Sequence, residues 1–206
     1  LSKILKEQST NIYAVSRHGS LDQNIIKINW DWLSNSNLDL PKITFDSVII
    51  IPKPSNLDEN GYRDGFISSL ENITNSLQKA DIKSVIAISS TRVYGDHQLG
   101  YIDEATLTEP SDFRGNLIKE YELTLNEFFP VYLNILRFSG LYIDSSKHSS
   151  HNKLNRNTAA KIISFAINNL YKNKENNIYN CSKDCEILAS VKSVSNKKLK
   201  AAGFIF

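Results

Sequence analysis

An α/β fold, with a doubly wound and mostly parallel sheet, is what three features of this 206-residue sequence predict. Val85-Ile86-Ala87-Ile88 is an unbroken apolar run that turns abruptly into Ser89-Ser90-Thr91. A run without polar alternation reads as a strand covered on both faces. Apolar strands of this kind alternate along the chain with segments whose apolar residues recur at helical spacing, which implies parallel strands joined by right-handed crossovers. In open sheets of this class, ligands bind beyond the carboxyl ends of the strands. The hydroxyls of Ser89 to Thr91 therefore mark where chemistry is expected.

The elements follow in order. Leu1 to Gln8 carries Leu1, Ile4 and Leu5 on one helical face. Asn11 to Val15 is a short strand that ends at Ser16-Arg17-His18-Gly19, and Ile25 to Trp30 is a second, followed by Asp31. Phe45 to Ile51 (FDSVIII) reads as one buried strand stopped by Pro52 and Pro54. Tyr62 to Lys79 is a helix with Phe66, Leu70, Ile73 and Leu77 on one face. The strand from Ser84 to Ser89 comes next, and then a long acidic loop over residues 96–113. A helix from Gly115 to Phe128 leads to the strand Val131 to Phe138. Asp144 to Asn157 is polar and reads as irregular. A helix over Thr158 to Tyr171, a short strand Asn177 to Asn180 and a short helix after Ser193 complete the chain.

Composition excludes several function classes. The 24 basic and 22 acidic side chains leave a formal charge of +2 with no basic stripe, so nucleic-acid binding has no electrostatic support. No apolar run approaches the length of a membrane span. The opening LSKILKEQ reads as an amphipathic helix and not as a signal peptide. Cys181 and Cys185, without further Cys or a His partner, are a poor zinc signal and read as ordinary thiols in a reducing cytoplasm. His18, His97, His148 and His151 share no spacing that suggests a metal site. Methionine is absent, even at position 1, so Leu1 is read as an internal residue.

Several blocks together resemble one family. ISSTRVYGD, then YIDEATLTEP, an E-x-x-L helix and ILRFSGLY, in that order, resemble the extended short-chain dehydrogenase/reductases, the NAD-dependent epimerase/dehydratase group. NKLNRNTAAKII and KSVSNKKLKAAGF resemble segments of an atypical subgroup. The resemblance implies a Rossmann-type dinucleotide-binding domain over residues 1–140 and a small C-terminal substrate-side lobe over 141–206. It also implies pairing of two copies through the helices at 62–79 and 115–128.

Two departures stand out. The family's G-x-x-G-x-x-G turn, which lets the pyrophosphate approach a helix N-terminus, is absent from this sequence along with the strand before it. That strand is central in the sheet, and a sheet without it would leave unpaired backbone groups. The expectation is that residues precede Leu1, with a naturally degenerate protein as the alternative. The second departure falls on the Tyr-x-x-x-Lys pair of the resemblance, in which Tyr moves a proton and Lys lowers its pKa and binds ribose. Here Lys119 can take the Lys position, but the Tyr position is Gly115, as in the atypical subgroup.

Ser90 aligns with the serine that holds the substrate oxygen; the other reading is that Ser89 to Thr91 satisfy backbone groups at a strand end. Lys119 is either a ribose contact or a solvated helix lysine. Ser16 and Arg17 follow the strand whose end meets the adenosine ribose, and a hydroxyl beside a guanidinium suits a 2′-phosphate, hence NADP, with NAD as the other candidate. Asp31 could contact adenine, or cap a turn. Arg137 is expected to pair with Asp103 or Glu104 of the acidic loop, and Tyr94 to pack behind the strand end. Tyr101, Tyr121 or a water on Lys119 are the weak substitutes for the missing tyrosine. The expected function is an NAD(P)-binding epimerase/dehydratase/reductase-like protein acting on a sugar nucleotide or similar small polar substrate. The alternative is a non-catalytic dinucleotide sensor or scaffold.

Overall fold

The computed structural model describes residues 1, 4–5, 11–17, 25–34, 36–130, 132–143, 151–170 and 175–206. Most of the helix expected over Leu1 to Gln8 lies outside these residues, as do His18 and His148. Strands β1 (Tyr13–Ser16) and β2 (Ile26–Asn29) pair in parallel as a two-stranded sheet. β3 (Thr44–Phe45) and β4 (Val48–Ile50) follow, and then α1 (Glu59–Arg63), a single π-helical turn (Asp64–Ser68) and α2 (Ser69–Leu77). β5 (Asp81–Ile82), β6 (Val85–Ser90) and a 3-10 turn (Thr91–Tyr94) lead into β7 (Gly100–Ile102) and α3 (Phe113–Phe128). The remainder is β8 (Leu133–Phe138), β9 (Leu141–Tyr142), β10 (Leu154–Asn155), α4 (Arg156–Asn169), β11 (Asn177–Cys181), β12 (Lys192–Val194) and α5 (Lys197–Ala201).

The main sheet runs β11-β8-β6-β4, all parallel, which is the α/β arrangement expected from the sequence. It is covered on both faces. Val85, Ala87, Leu133 and Ile135 meet Phe66, Leu70, Ile118, Tyr121 and Leu125 of the helices on one side. Ile86, Leu136 and Tyr179 meet Ile162, Ile163 and Ala166 of α4 on the other. Alternate side chains of a strand point to opposite faces, so β6 and β8 each feed both layers.

Three expectations need correction. FDSVIII is not one strand: Thr44–Phe45 pairs with Asp81–Ile82, and Val48–Ile50 with Val85–Ala87. The register is the same on both sides of the break. At the break, the Ser47 and Ser84 hydroxyls bond to each other at 2.7 Å. The helix expected over Tyr62 to Lys79 is interrupted by the π turn, where the Ser69 N–H reaches back to Asp64 O. A Cβ on Gly65 would lie 2.3 Å from the Lys53 carbonyl, so the preceding loop crosses directly against this turn. Finally, the segment read as irregular to Asn157 contains β10 and the first turn of α4, whose N-cap Asn155 accepts a hydrogen bond from Asn157 N–H.

Candidate functional site

Sequence-predicted site residues fall in two places. At the carboxyl end of β1, Arg17 lies over the Trp32 ring, 5.4 Å from its centroid, with its Nε 3.9 Å from Asp31 Oδ1. The carboxylate of Asp31 also accepts the Leu33 N–H at 3.0 Å, so this aspartate builds a turn as well as facing the arginine. Ser16 ends β1, and its carbonyl accepts the Trp30 N–H at 3.3 Å, tying the ends of β1 and β2 together. Arg17, Asn29, Trp30, Asp31, Ser34 and Ser36 line a groove of about 390 Å³. That volume is within the range of about 300–1,000 Å³ typical of small-molecule sites. Trp30 forms a fixed wall, because its indole N–H donates to Ser36 O at 2.8 Å.

The second place is the end of β6. Here the two serines part company, because alternation puts Ser89 on the α3 face and Ser90 on the other. Ser89 Oγ donates to Glu122 Oε1 at 2.5 Å. Glu122 also takes Arg137, with Nε 2.9 Å from Oε1 and Nη2 2.6 Å from Oε2. Arg137 Nη1 donates to the Tyr94 hydroxyl at 2.8 Å, which donates in turn to Asn180 Oδ1 at 2.9 Å. These side chains are buried. Burial opposes the Arg137 charge, but the bonds and charge of Glu122 outweigh it, with Tyr94 adding to them, and the guanidinium pKa rises. The expected Arg137 partner is therefore corrected from the acidic loop to α3. Glu104 instead accepts the Asn180 N–H at 2.7 Å, and burial pushes its carboxyl pKa up.

Ser90 is half-buried, and its Oγ accepts the Arg92 N–H at 3.2 Å, capping the 3-10 turn. Lys119 Nζ donates to Thr108 O at 2.8 Å. Among the described residues no hydrogen bond joins Ser90 to Lys119. Arg92 pairs with Asp112 at 2.7 Å, and Asp112 caps α3 by accepting the Gly115 N–H at 2.8 Å. Gly115 is wedged in place: a Cβ there would lie 2.7 Å from Pro110 Cβ and 3.0 Å from the Arg92 carbonyl. A tyrosine at 115 therefore has no room in this packing. Neither substitute tyrosine reaches Ser90. Tyr121 is fully buried against Phe66, its hydroxyl without a hydrogen-bond partner among the described residues, and burial drives its pKa up. Tyr101 lies in β7, which pairs with β12, its hydroxyl 3.3 Å from Ser195 Oγ.

No protein-family model matches the sequence, and no curated protein matches it. Solved structures do. The UDP-glucuronic acid 4-epimerase of Bacillus cereus, solved in complex with NAD, superposes with a TM-score of 0.75 at 14% identity, over 98% of this chain and 84% of that one. The UDP-glucose 4-epimerase of Thermotoga maritima, solved with UDP-glucose, gives 0.72 at 12% identity, over 97% and 86%. A Methylobacillus flagellatus protein assigned to the NAD-dependent epimerase/dehydratases gives 0.72 at 17% identity, over 99% and 87%. The chain thus has the Rossmann-type fold of these epimerases.

Sequence reasoning missed Trp32 against Arg17, Ser34 and Ser36 in the groove, and Glu122 beneath the strand end. Trp32, one residue past Asp31, was a visible signal. So was Glu122, which shares a helix face with Lys119 at i, i+3.

Proposed function

We propose that this chain is an NAD(P)-binding protein of the epimerase/dehydratase kind, with NADP preferred, acting on a sugar nucleotide or similar small polar substrate. The observation that carries the reading is the groove at the ends of β1 and β2, with Arg17 over Trp32 and Asp31 opposite. The residues fit the adenosine end of a dinucleotide. The Arg17–Asp31 pair is long and half-exposed, so it is weak, and little is lost when an incoming phosphate takes the guanidinium. Trp32 offers an aromatic surface beside it. Bound nicotinamide would supply hydride acceptance and return. Toward the substrate, Ser90 would hold the reacting oxygen by a hydrogen bond after giving up its capping contact to Arg92.

The wedged Gly115 and the engaged Lys119 favour a second reading, a dinucleotide sensor or scaffold without turnover. Outward-facing Leu123 and Phe128 on α3 support pairing of two copies through that helix and residues 62–79.

Fluorescence titration with NADPH and NADH tests the first step. NADPH should bind about tenfold or more tightly than NADH, and Arg17→Ala should erase that difference. Binding of neither nucleotide sinks both cofactor readings, and tighter NADH binding sinks the role of Arg17. Nicotinamide absorbance during incubation with UDP-sugars then separates the two readings: turnover that survives Ser90→Ala removes Ser90 from the chemistry, and saturable binding without turnover selects the sensor.

A further inference from the structure

We infer a second ligand site, away from the β1–β2 groove: a cleft between β7 and residues 183–200 that takes a phosphate-sized dianion. The cleft, of about 130 Å³, is lined by Tyr101, Lys183, Asp184, Cys185, Lys197 and Lys200 among others. Three ammonium groups against one carboxylate leave its wall at net +2, matching a phosphate group of about −1.5 to −2 at neutral pH. The charges are not all spent internally. Asp184 is committed to Lys200 Nζ at 2.6 Å and to the Asn196 amide at 2.9 Å, and these bonds pull its carboxyl pKa down. Lys183 and Lys197 have no carboxylate partner among the described residues, and Lys197 lies over the Tyr101 ring, 5.4 Å from the centroid.

Size limits the ligand. A cleft of 130 Å³ is well under the ~300 Å³ at which drug-sized pockets begin, so it encloses a group the size of a phosphate. The frame is firm: β12 carries one side of the cleft on β7, and Ser195 N–H bonds Ile102 O at 2.8 Å. The lysines supply rotatable point charges, suited to a phosphate that approaches from solvent. Ser195, whose Oγ accepts from the Tyr101 hydroxyl, keeps its own O–H as a donor at the same mouth.

The cleft carries its own reporter. Cys185 is partly accessible while Cys181 is fully buried, so alkylation of the native protein reads Cys185 alone. Inorganic phosphate should slow alkylation of Cys185 saturably. Lys183→Ala and Lys197→Ala should each weaken the protecting concentration about tenfold, as expected for one lost charge-assisted contact. Both lysines are at the surface, and unchanged circular dichroism will verify the fold. Arg17→Ala should leave the protection intact, which separates this site from the dinucleotide groove. Equal protection by chloride at matched ionic strength, or by acetate at the same concentration, overturns the assignment. So does protection that never saturates, or that survives loss of both lysines.

Discussion

Arg137 and Arg17 both stand at the carboxyl ends of parallel strands, yet they have opposite fates. Arg137 and its partner Glu122 are 5% and 6% exposed and 2.6 Å apart; Arg17 and Asp31 are 38% and 40% exposed and 3.9 Å apart. All three guanidinium nitrogens of Arg137 bond Glu122 or Tyr94 in the buried interior. The lesson is that position at a strand end marks only where a ligand could sit. Burial and pairing then decide whether the side chain serves the ligand or the fold. On its α3 face the β6–β8–β11 end is closed by its own residues, and the β1–β2 end presents its charge to solvent.

The sharpest way to break the contrast is Glu122→Ala. It leaves a buried guanidinium unpaired and removes the acceptor of Ser89, and should cost about 3–5 kcal/mol, or roughly 10 °C in Tm. Arg17→Ala should stay within about 0.5 kcal/mol of wild type in the same melt. Equal losses from the two would abolish the distinction between the two ends.

Next in size is Gly115→Ala. Alanine gains at most about 1 kcal/mol over glycine in a helix, and Gly115 sits in the first turn of α3, while the new methyl meets Pro110 and a backbone carbonyl and overpacking costs about 1–3 kcal/mol. The net should be a loss of about 1 kcal/mol in urea unfolding. A stabilised variant would mean that the wedge can relax, and would reopen position 115 to larger side chains.

The smallest effect concerns Glu104, which couples the acidic loop to β11. Burial raises its carboxyl pKa above the ordinary 4.5, chiefly through lost hydration. A raised native pKa means the native state holds the proton more tightly than the unfolded state. The resulting stabilisation is full below the unfolded value and is lost as pH climbs through the native one. Glu104→Gln keeps an oxygen for Asn180 N–H without ever ionising, so its advantage over wild type should grow from acid to neutral pH, by under about 1 kcal/mol. Paired urea midpoints at the two pH values measure this, and an advantage that shrinks toward neutral pH contradicts the burial argument.

The main sheet was legible because fully covered strands such as Val85 to Ile88 leave no alternation to misread. The two-residue pairings of β9 with β10 and β3 with β5 were not, because two residues carry no period. The groove was half legible: Arg17 and Asp31 were placed by strand ends, while Ser34 and Ser36 joined them only once the turn after β2 was folded. The partner of Arg137 was missed although Glu122 is only 15 residues away in the chain, because residue spacing does not show that a helix carboxylate is aimed at the strand through the core. Gly115 was visible as an oddity, but its tight contacts with Pro110 and Arg92 depend on chain segments that sequence spacing does not bring together.

The π turn at Asp64–Ser68 has a consequence for length variation. A π turn stores one residue more than an α-helix needs, while the residues beyond it keep their direction. Elsewhere in a helix, losing a residue swings everything downstream by about 100° and would carry Leu70 and Leu77 off the core. Within 64–68 the same loss is absorbed by reversion to a plain α-helix, which makes this short stretch the place where α1 and α2 can change length without changing what they bury.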